Sequence, residues 1–332
     1  MRTTLKFLAE EANLSTTAVS LILNGKNVRV SKEKKQKVLE LAEKYNYTPN
    51  SLAVGLVTKK TNTVGLIVPD IANAFFAEIA KNLERSLSYN GYSLILCNTN
   101  DNLSEEIKYA QLLLAKDVDA LIVCPTVQSV ENSKYINSFI ESGKKVVAFD
   151  RYSDDMPCST VAGDNFLGSR QAVEYLIKKG HRRIGCIGGP SDSYSAKLRI
   201  KGYMDALNDN GIKIDEKIIR QGDYKFDSGY EQGLELLKTD VTAAFVCNDL
   251  MAYGFYRAVM EKNKIIPDDI SIIGYDDLFF SSMLDVPLTT VRQNTESFSD
   301  EICRLMNKND DIEHVLIKTR IIERESVKDL NL

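Results

Sequence analysis

Up to residue 46 the chain repeats apolar side chains at helical spacing; from residue 64 onward it changes to short unbroken apolar runs separated by amphipathic segments. The first pattern predicts three short helices, about Leu5–Glu11, Thr16–Leu23 and Lys32–Tyr45. Ser15 and Ser31 stand where N-caps belong, Asn13 sits in a turn that tolerates a left-handed backbone, and Asn24 and Gly25 close the second helix. Two helices joined by a tight turn and followed by a third make helix-turn-helix architecture. Pro49 breaks the third helix. A weak helical stretch, Ser51–Val57, and a polar basic tail then read as a linker.

The second pattern predicts an α/β fold. Apolar runs at 64–69, 92–98, 120–125 and 145–150 alternate with helical segments, and a second series follows at 182–189, 243–249 and 270–277. Continuous apolar strands bounded by helices indicate parallel sheets covered on both faces. Two such series in tandem predict two lobes of similar build. Ligands of such sheets bind beyond the carboxyl ends of the strands. That places Asp70, Asn98, Pro125, Asp150, Gly189, Asp249 and Asp276 around one cleft.

Charge sharpens this division. The net charge of −4 argues against a nucleic-acid partner, yet residues 1–60 hold eleven Lys/Arg against five acids. That leaves +6 on the head and −10 on the remaining 272 residues. A basic head on an acidic body points to a polyanion partner for the head alone. The first residues carry acids where a signal peptide needs an apolar core, and no apolar run reaches membrane-span length. A cytoplasmic location follows. Six scattered cysteines, four in strand-like runs and none at metal-ligand spacing, read as reduced thiols. No metal or cofactor is expected. An enzyme is disfavoured: His181 and His314 adjoin no nucleophile motif, and no GxSxG, P-loop or GxGxxG string occurs.

The strings "LKFLAEEANLSTTAVSLILNG", "YTPNSLAVGL", "VGLIVPDIANAFFAEI", "KKGHRRIGCIGG", "CNDLMAYG", "IIGYDD" and "PLTTVRQN" occur in series between residues 4 and 325. In that order they resemble the lactose-repressor/galactose-repressor (LacI/GalR) family of bacterial transcription regulators. The resemblance implies a helix-turn-helix domain over 1–48, a hinge helix and linker over 49–62, and a periplasmic-binding-protein-like core over 63–332. Lobe one would comprise about 63–160 plus 291–320, and lobe two about 161–290 plus the C-terminal end. It implies a regulator, a repressor above all, that binds palindromic double-stranded operator DNA as a homodimer. A small molecule between the lobes, a sugar, would control it allosterically. The alternatives are a purine- or nucleoside-responsive regulator of the same family and a ligand-binding protein without DNA function.

By position in the family motif, the second helix enters the major groove. Thr16, Thr17 and Leu21 would read bases, Ser15 and Ser20 would meet phosphates or base edges, and Thr4 and Asn24 complete the head's DNA-binding set. The hinge would wedge Leu56, supported by Ala53, into the minor groove, with Tyr47 and Asn50 holding backbone or base edges. Leu21 stands where relatives commonly carry Arg, which implies an operator departing from the family's usual bases at that step. In the cleft the resemblance places Asn73, an aromatic wall at Phe75 and Phe76, Asp150, Arg199, Tyr224, Asn248, Asp249, Asp276 and Gln293 against the effector. The chemistry suits a sugar: carboxylates accept hydroxyl protons, Arg donates in a fork, and rings cover C–H faces.

Overall fold

The computed structural model describes residues 3–47, 60–126, 134–153, 155–308 and 311–332. The hinge expectations, the Ser51–Val57 helix with Asn50, Ala53 and Leu56, lie outside the described residues. Two compact units divide at residue 62.

In the first unit, α1 (Leu5–Ala12), α2 (Thr16–Leu23) and α3 (Lys32–Lys44) form where the periodicity placed them. Each is capped by a hydroxyl: Thr4 accepts from the Phe7 N–H at 3.2 Å, Ser15 from Ala18 at 3.1 Å and Ser31 from Lys34 at 3.3 Å. Such a cap is worth about 1 kcal/mol. Asn13 at φ 51° and Gly25 at φ 67° turn the chain between helices. Leu8, Ala9, Ala12, Val19, Ile22 and Val38 form a small core, and Phe7 meets Tyr45 edge-on at 5.0 Å.

The second unit holds two six-stranded sheets. The first contains β1 (Thr63–Val68), β2 (Ser93–Asn98), β3 (Ala120–Val123), β4 (Lys145–Phe149), β5 (Ser159–Gly163) and β11 (His314–Ile317) in the order β11-β5-β4-β3-β1-β2. All its pairings are parallel. Among the described residues, helices α4 (Ala74–Tyr89), α5 (Leu103–Ala115), α6 (Lys134–Glu141) and α11 (Thr295–Met306) belong to lobe one. Side chains alternate between its two faces. Val64, Leu66 and Val68 enter one core with Ile79, Phe149 and Phe298, whereas Ile67 enters the other with Leu113, Leu121 and Phe139.

The second sheet repeats the plan, with β6 (Ile184–Gly188), β7 (Ile219–Gln221), β8 (Ala243–Val246), β9 (Ser271–Asp276), β10 (Thr289–Arg292) and β12 (Arg320–Ile322) in the order β12-β10-β9-β8-β6-β7. Its helices are α7 (Asn165–Lys178), α8 (Tyr194–Asp209), α9 (Phe226–Leu236) and α10 (Asp249–Glu261). The edge strand β12 runs antiparallel to β10, which the expectation of purely parallel sheets missed. In each sheet the order reverses beside the first strand, so a crevice opens at the strands' carboxyl ends.

The chain crosses between lobes three times: after β5, after β10 and between β11 and β12. β5 continues to Gly163 and β10 to Arg292, so the first two crossings lie two or three residues beyond the expected 160 and 290. Arg320 opens the second sheet, not the end of lobe one.

Candidate functional site

On α2, Val19 and Ile22 face the head's core, which leaves residues 16, 17, 20, 21 and 24 on the opposite face. Thr16, Thr17 and Asn24 are exposed; Ser20 and Leu21 are half-buried. Leu14 and Leu23 pack on the core, but Leu21 does not. Two of the expected DNA contacts already have local duties: the hydroxyls of Thr4 and Ser15 cap α1 and α2. The Asn24 amide is also committed, donating to the Ser20 carbonyl at 2.8 Å and reaching its hydroxyl at 3.4 Å. After α2 the head carries Lys26, Arg29, Lys32, Lys34, Lys35 and Lys37, all exposed. Among the described residues no acid neutralises them in an ion pair. Tyr47 packs on the head's core.

The cleft lies at the carboxyl ends of both sheets, and its backbone is strained there. Asp150 (φ 63°), Tyr224 (φ 68°), Asp276 (φ 115°) and Asp277 (φ 58°) all adopt positive φ without being glycine. Asp150 sits in a three-residue turn closed by the Arg151 N–H on the Phe149 carbonyl at 2.7 Å. Backbone strain of this kind costs about 1–3 kcal/mol per residue and concentrates at functional sites.

Arg199, on α8, is the centre of the site. It is 3% exposed. Its Nε donates to Asn165 Oδ1 at 2.7 Å, Nη1 donates to the Cys247 carbonyl, and the guanidinium lies 3.7 Å from the centre of the Tyr275 ring. Asp276 Oδ1 is 3.8 Å from Nη1 and accepts from Gln293 Nε2 at 2.8 Å. Burial drives the Asp276 carboxyl up to about 8; Arg199 opposes this, Asp249 adds to it, and the Gln293 hydrogen bond again lowers it. Asp150 is also raised by burial, against the pull of Arg199 and Arg151. Gln293 stands at the second crossing with its buried Oε1 unpartnered. A Cβ on Gly163, at the first crossing, would lie 2.4 Å from that oxygen, so a larger residue there would have to displace the Gln293 amide.

The Tyr224 hydroxyl reaches Ser195 Oγ at 3.4 Å, and the ring fills the space where a Cβ on Gly189 would stand. Asn248 donates to the Tyr224 carbonyl at 2.9 Å and caps α10 through the Met251 N–H. Four expected ligand residues are placed differently. Asn73 caps α4, accepting from the Phe75 N–H at 3.1 Å. Phe75 and Phe76 are 3% and 5% exposed and pack edge-on against Phe298 and Phe149 inside lobe one, so they form core and not an aromatic wall. Asp249 is fully buried: Oδ2 accepts from the Leu278 N–H at 2.8 Å and the Ser281 hydroxyl at 2.5 Å, and Oδ1 accepts from the Thr290 hydroxyl at 2.6 Å. It ties the segment after β9 to β10.

Other residues had escaped notice. Arg151, buried on lobe one, pairs with Asp101 at 2.6 Å. Tyr152 of lobe one meets Tyr194 of lobe two edge-on, ring centres 5.2 Å apart at 79°. Arg151 and Tyr275 adjoin Asp150 and Asp276 in the chain, so adjacency was an available signal; nothing in the sequence joins Tyr152 to Tyr194. Both histidines hold local bonds: buried His181 bonds Thr242 at 3.0 Å, and exposed His314 bonds Thr160 at 2.8 Å.

This pairing of a cationic reading head with a two-lobed cleft has counterparts among known proteins. Residues 61–325 match the family of periplasmic binding proteins and sugar binding domain of LacI family, and residues 4–50 match bacterial regulatory proteins of the lacI family. The chain belongs to the LacI family. It is therefore a DNA-binding transcriptional regulator with a ligand-binding core, in a family of regulators and not of enzymes. The HTH-type transcriptional regulator DegA of Bacillus subtilis is 31% identical over 337 residues, covering all of both chains. The ribose operon repressor of Escherichia coli is 33% identical over 299 residues, 90% of each chain. Among solved LacI-family structures, the Lac repressor dimer bound to operator and the anti-inducer ONPF superimposes with a TM-score of 0.87 at 26% identity. That match covers 99% of this chain and 100% of the other.

Proposed function

We propose that this LacI-family regulator is a repressor that binds a palindromic operator as a homodimer in the cytoplasm and answers to a small sugar held between its lobes. The observation that carries the reading is the buried Arg199, stacked on Tyr275 and facing Asp276, with spare N–H donors beside carboxyls that accept hydroxyl protons. Asp150, Asp276 and the free Gln293 Oε1 accept from the ligand, Arg199 and Asn248 donate, and Tyr224 covers a C–H face. Asn73, Phe75, Phe76 and Asp249 support these walls from behind. A sugar fits better than a purine because the rings that would sandwich a planar base are occupied: Phe75 and Phe76 by the core, Tyr275 by Arg199.

On DNA, Thr16, Thr17, Ser20 and Leu21 meet base edges while the surrounding cations meet phosphates. Tyr47, Asn50, Ala53 and Leu56 engage the minor groove at the hinge. A second copy covers the exposed apolar side chains of lobe two, Phe279, Phe280 and Met283, each 60–63% exposed. Opening or closing the cleft shifts operator affinity only by as much as the sugar discriminates between the two states.

The test is a thermal-shift screen over pentoses, hexoses, disaccharides and nucleosides, followed by operator retardation with the hit. A sugar should shift both, and Arg199→Met should abolish the shift while leaving retardation intact. Shifts by nucleosides alone would overturn the sugar, and retention of the sugar shift in Arg199→Met would overturn the site.

A further inference from the structure

We infer that α2 reads an A·T-rich half-site through thymine methyl groups, with Leu21 as the residue that selects thymine. The inference rests on the proposed placement of α2 in the major groove and adds the base class it reads. No side chain of α2, from Thr16 to Leu23, is charged. Guanine is read by Arg or Lys donating as a pair to O6 and N7, cytosine by an acid, and adenine by Asn or Gln. The reading face offers no Arg, Lys or acid, and its only amide, Asn24, is held by the Ser20 carbonyl and hydroxyl. What remains are three hydroxyls, which face donors or acceptors alike, and the apolar tips of Thr16, Thr17 and Leu21.

Leu21 is the informative residue. The other leucines adjoining the reading helix, Leu14 and Leu23, pack against the head's core; Leu21 stands outside it on the reading face. A leucine half-open to water gains by covering a methyl group, and in the major groove only thymine presents one. The six exposed cations that follow α2 in the turn and in α3 supply affinity through phosphates, without sequence information. Attraction and selection are thus divided between different side chains.

The experiment is binding-site selection with the full chain on palindromic duplexes of randomised half-sites, followed by thymine-to-uracil replacement at each enriched position. Uracil removes only the methyl group. One position per half-site should lose about fourfold in affinity per uracil, the value of one buried methyl group. Leu21→Ala should bind the thymine and uracil duplexes equally, with an unchanged thermal midpoint because Leu21 lies outside the core. Leu21→Arg should move that position towards guanine. Enrichment of guanine by the unaltered chain, or a uracil penalty that survives in Leu21→Ala, overturns the inference alone. Failure to enrich any duplex overturns the operator reading, and the inference with it.

Discussion

The edge-on pair Tyr152–Tyr194 sets a measurable limit on how the cleft opens. One ring belongs to lobe one and the other begins α8 of lobe two, so separating the lobes must part them. An edge-to-face pair of this geometry contributes about 0.5–1.5 kcal/mol beyond the area it buries. With RT near 0.6 kcal/mol, losing it lowers the ratio of closed to open cleft by a factor of about 2–13. The apparent affinity of a ligand that needs both walls falls by up to that factor. Tyr152→Leu, Tyr194→Leu and the double variant, titrated calorimetrically with the effector found by screening, form a cycle that isolates the pair. The singles should each weaken binding, and the double should be weaker than either by less than the sum. Unchanged or tighter binding in the singles, or strict additivity in the double, would show that the rings do not hold the ligand-competent state together.

Two further outcomes follow from the same site. Burial lifts Asp276 to about 8 from an ordinary 3.8, so the folded chain keeps a proton that the unfolded chain releases; stability should fall as pH rises from about 4 towards 8. Asp276→Asn should flatten that slope in urea midpoints measured from pH 5 to 9, and an unaltered slope would assign it to other groups. Gly163→Ala places a methyl group 2.4 Å from Gln293 Oε1 and should swing that amide off Asp276, costing about 1–3 kcal/mol in denaturant unfolding and weakening the effector's thermal shift. Combining it with Gln293→Ala should recover part of the lost stability.

Local chemistry was legible in the sequence wherever local chemistry decides the outcome. The head's helices begin and end where Ser15, Ser31, Asn13 and Gly25 say they should, because caps and left-handed turns act over three or four residues. The strand-end rule put Asp150 and Asp276 at the carboxyl ends of strands, where the structure has them, for the same reason. At Asn73, which the family resemblance offered, and at Asp249 the structure shows a helix N-cap and a strand tie, duties that want the same short polar side chain as a ligand contact, at the same place. Phe75 and Phe76 illustrate a different ambiguity: aromatic side chains at the start of an amphipathic helix suit a core as well as a binding wall, and only the position of Phe298, over two hundred residues later, decides. Tyr152 with Tyr194, and Gly163 with Gln293, are products of tertiary meeting that no spacing announces.

The three lobe crossings have a consequence for synthesis. Lobe one takes β11 and α11 from the last forty residues, so when a ribosome has made 290 residues neither lobe is complete, whereas the head has had its whole core since residue 47. Folding from the N-terminus therefore yields a finished reader long before a finished sensor. A message cut anywhere between these points encodes a chain with every residue of the head's core and neither lobe entire.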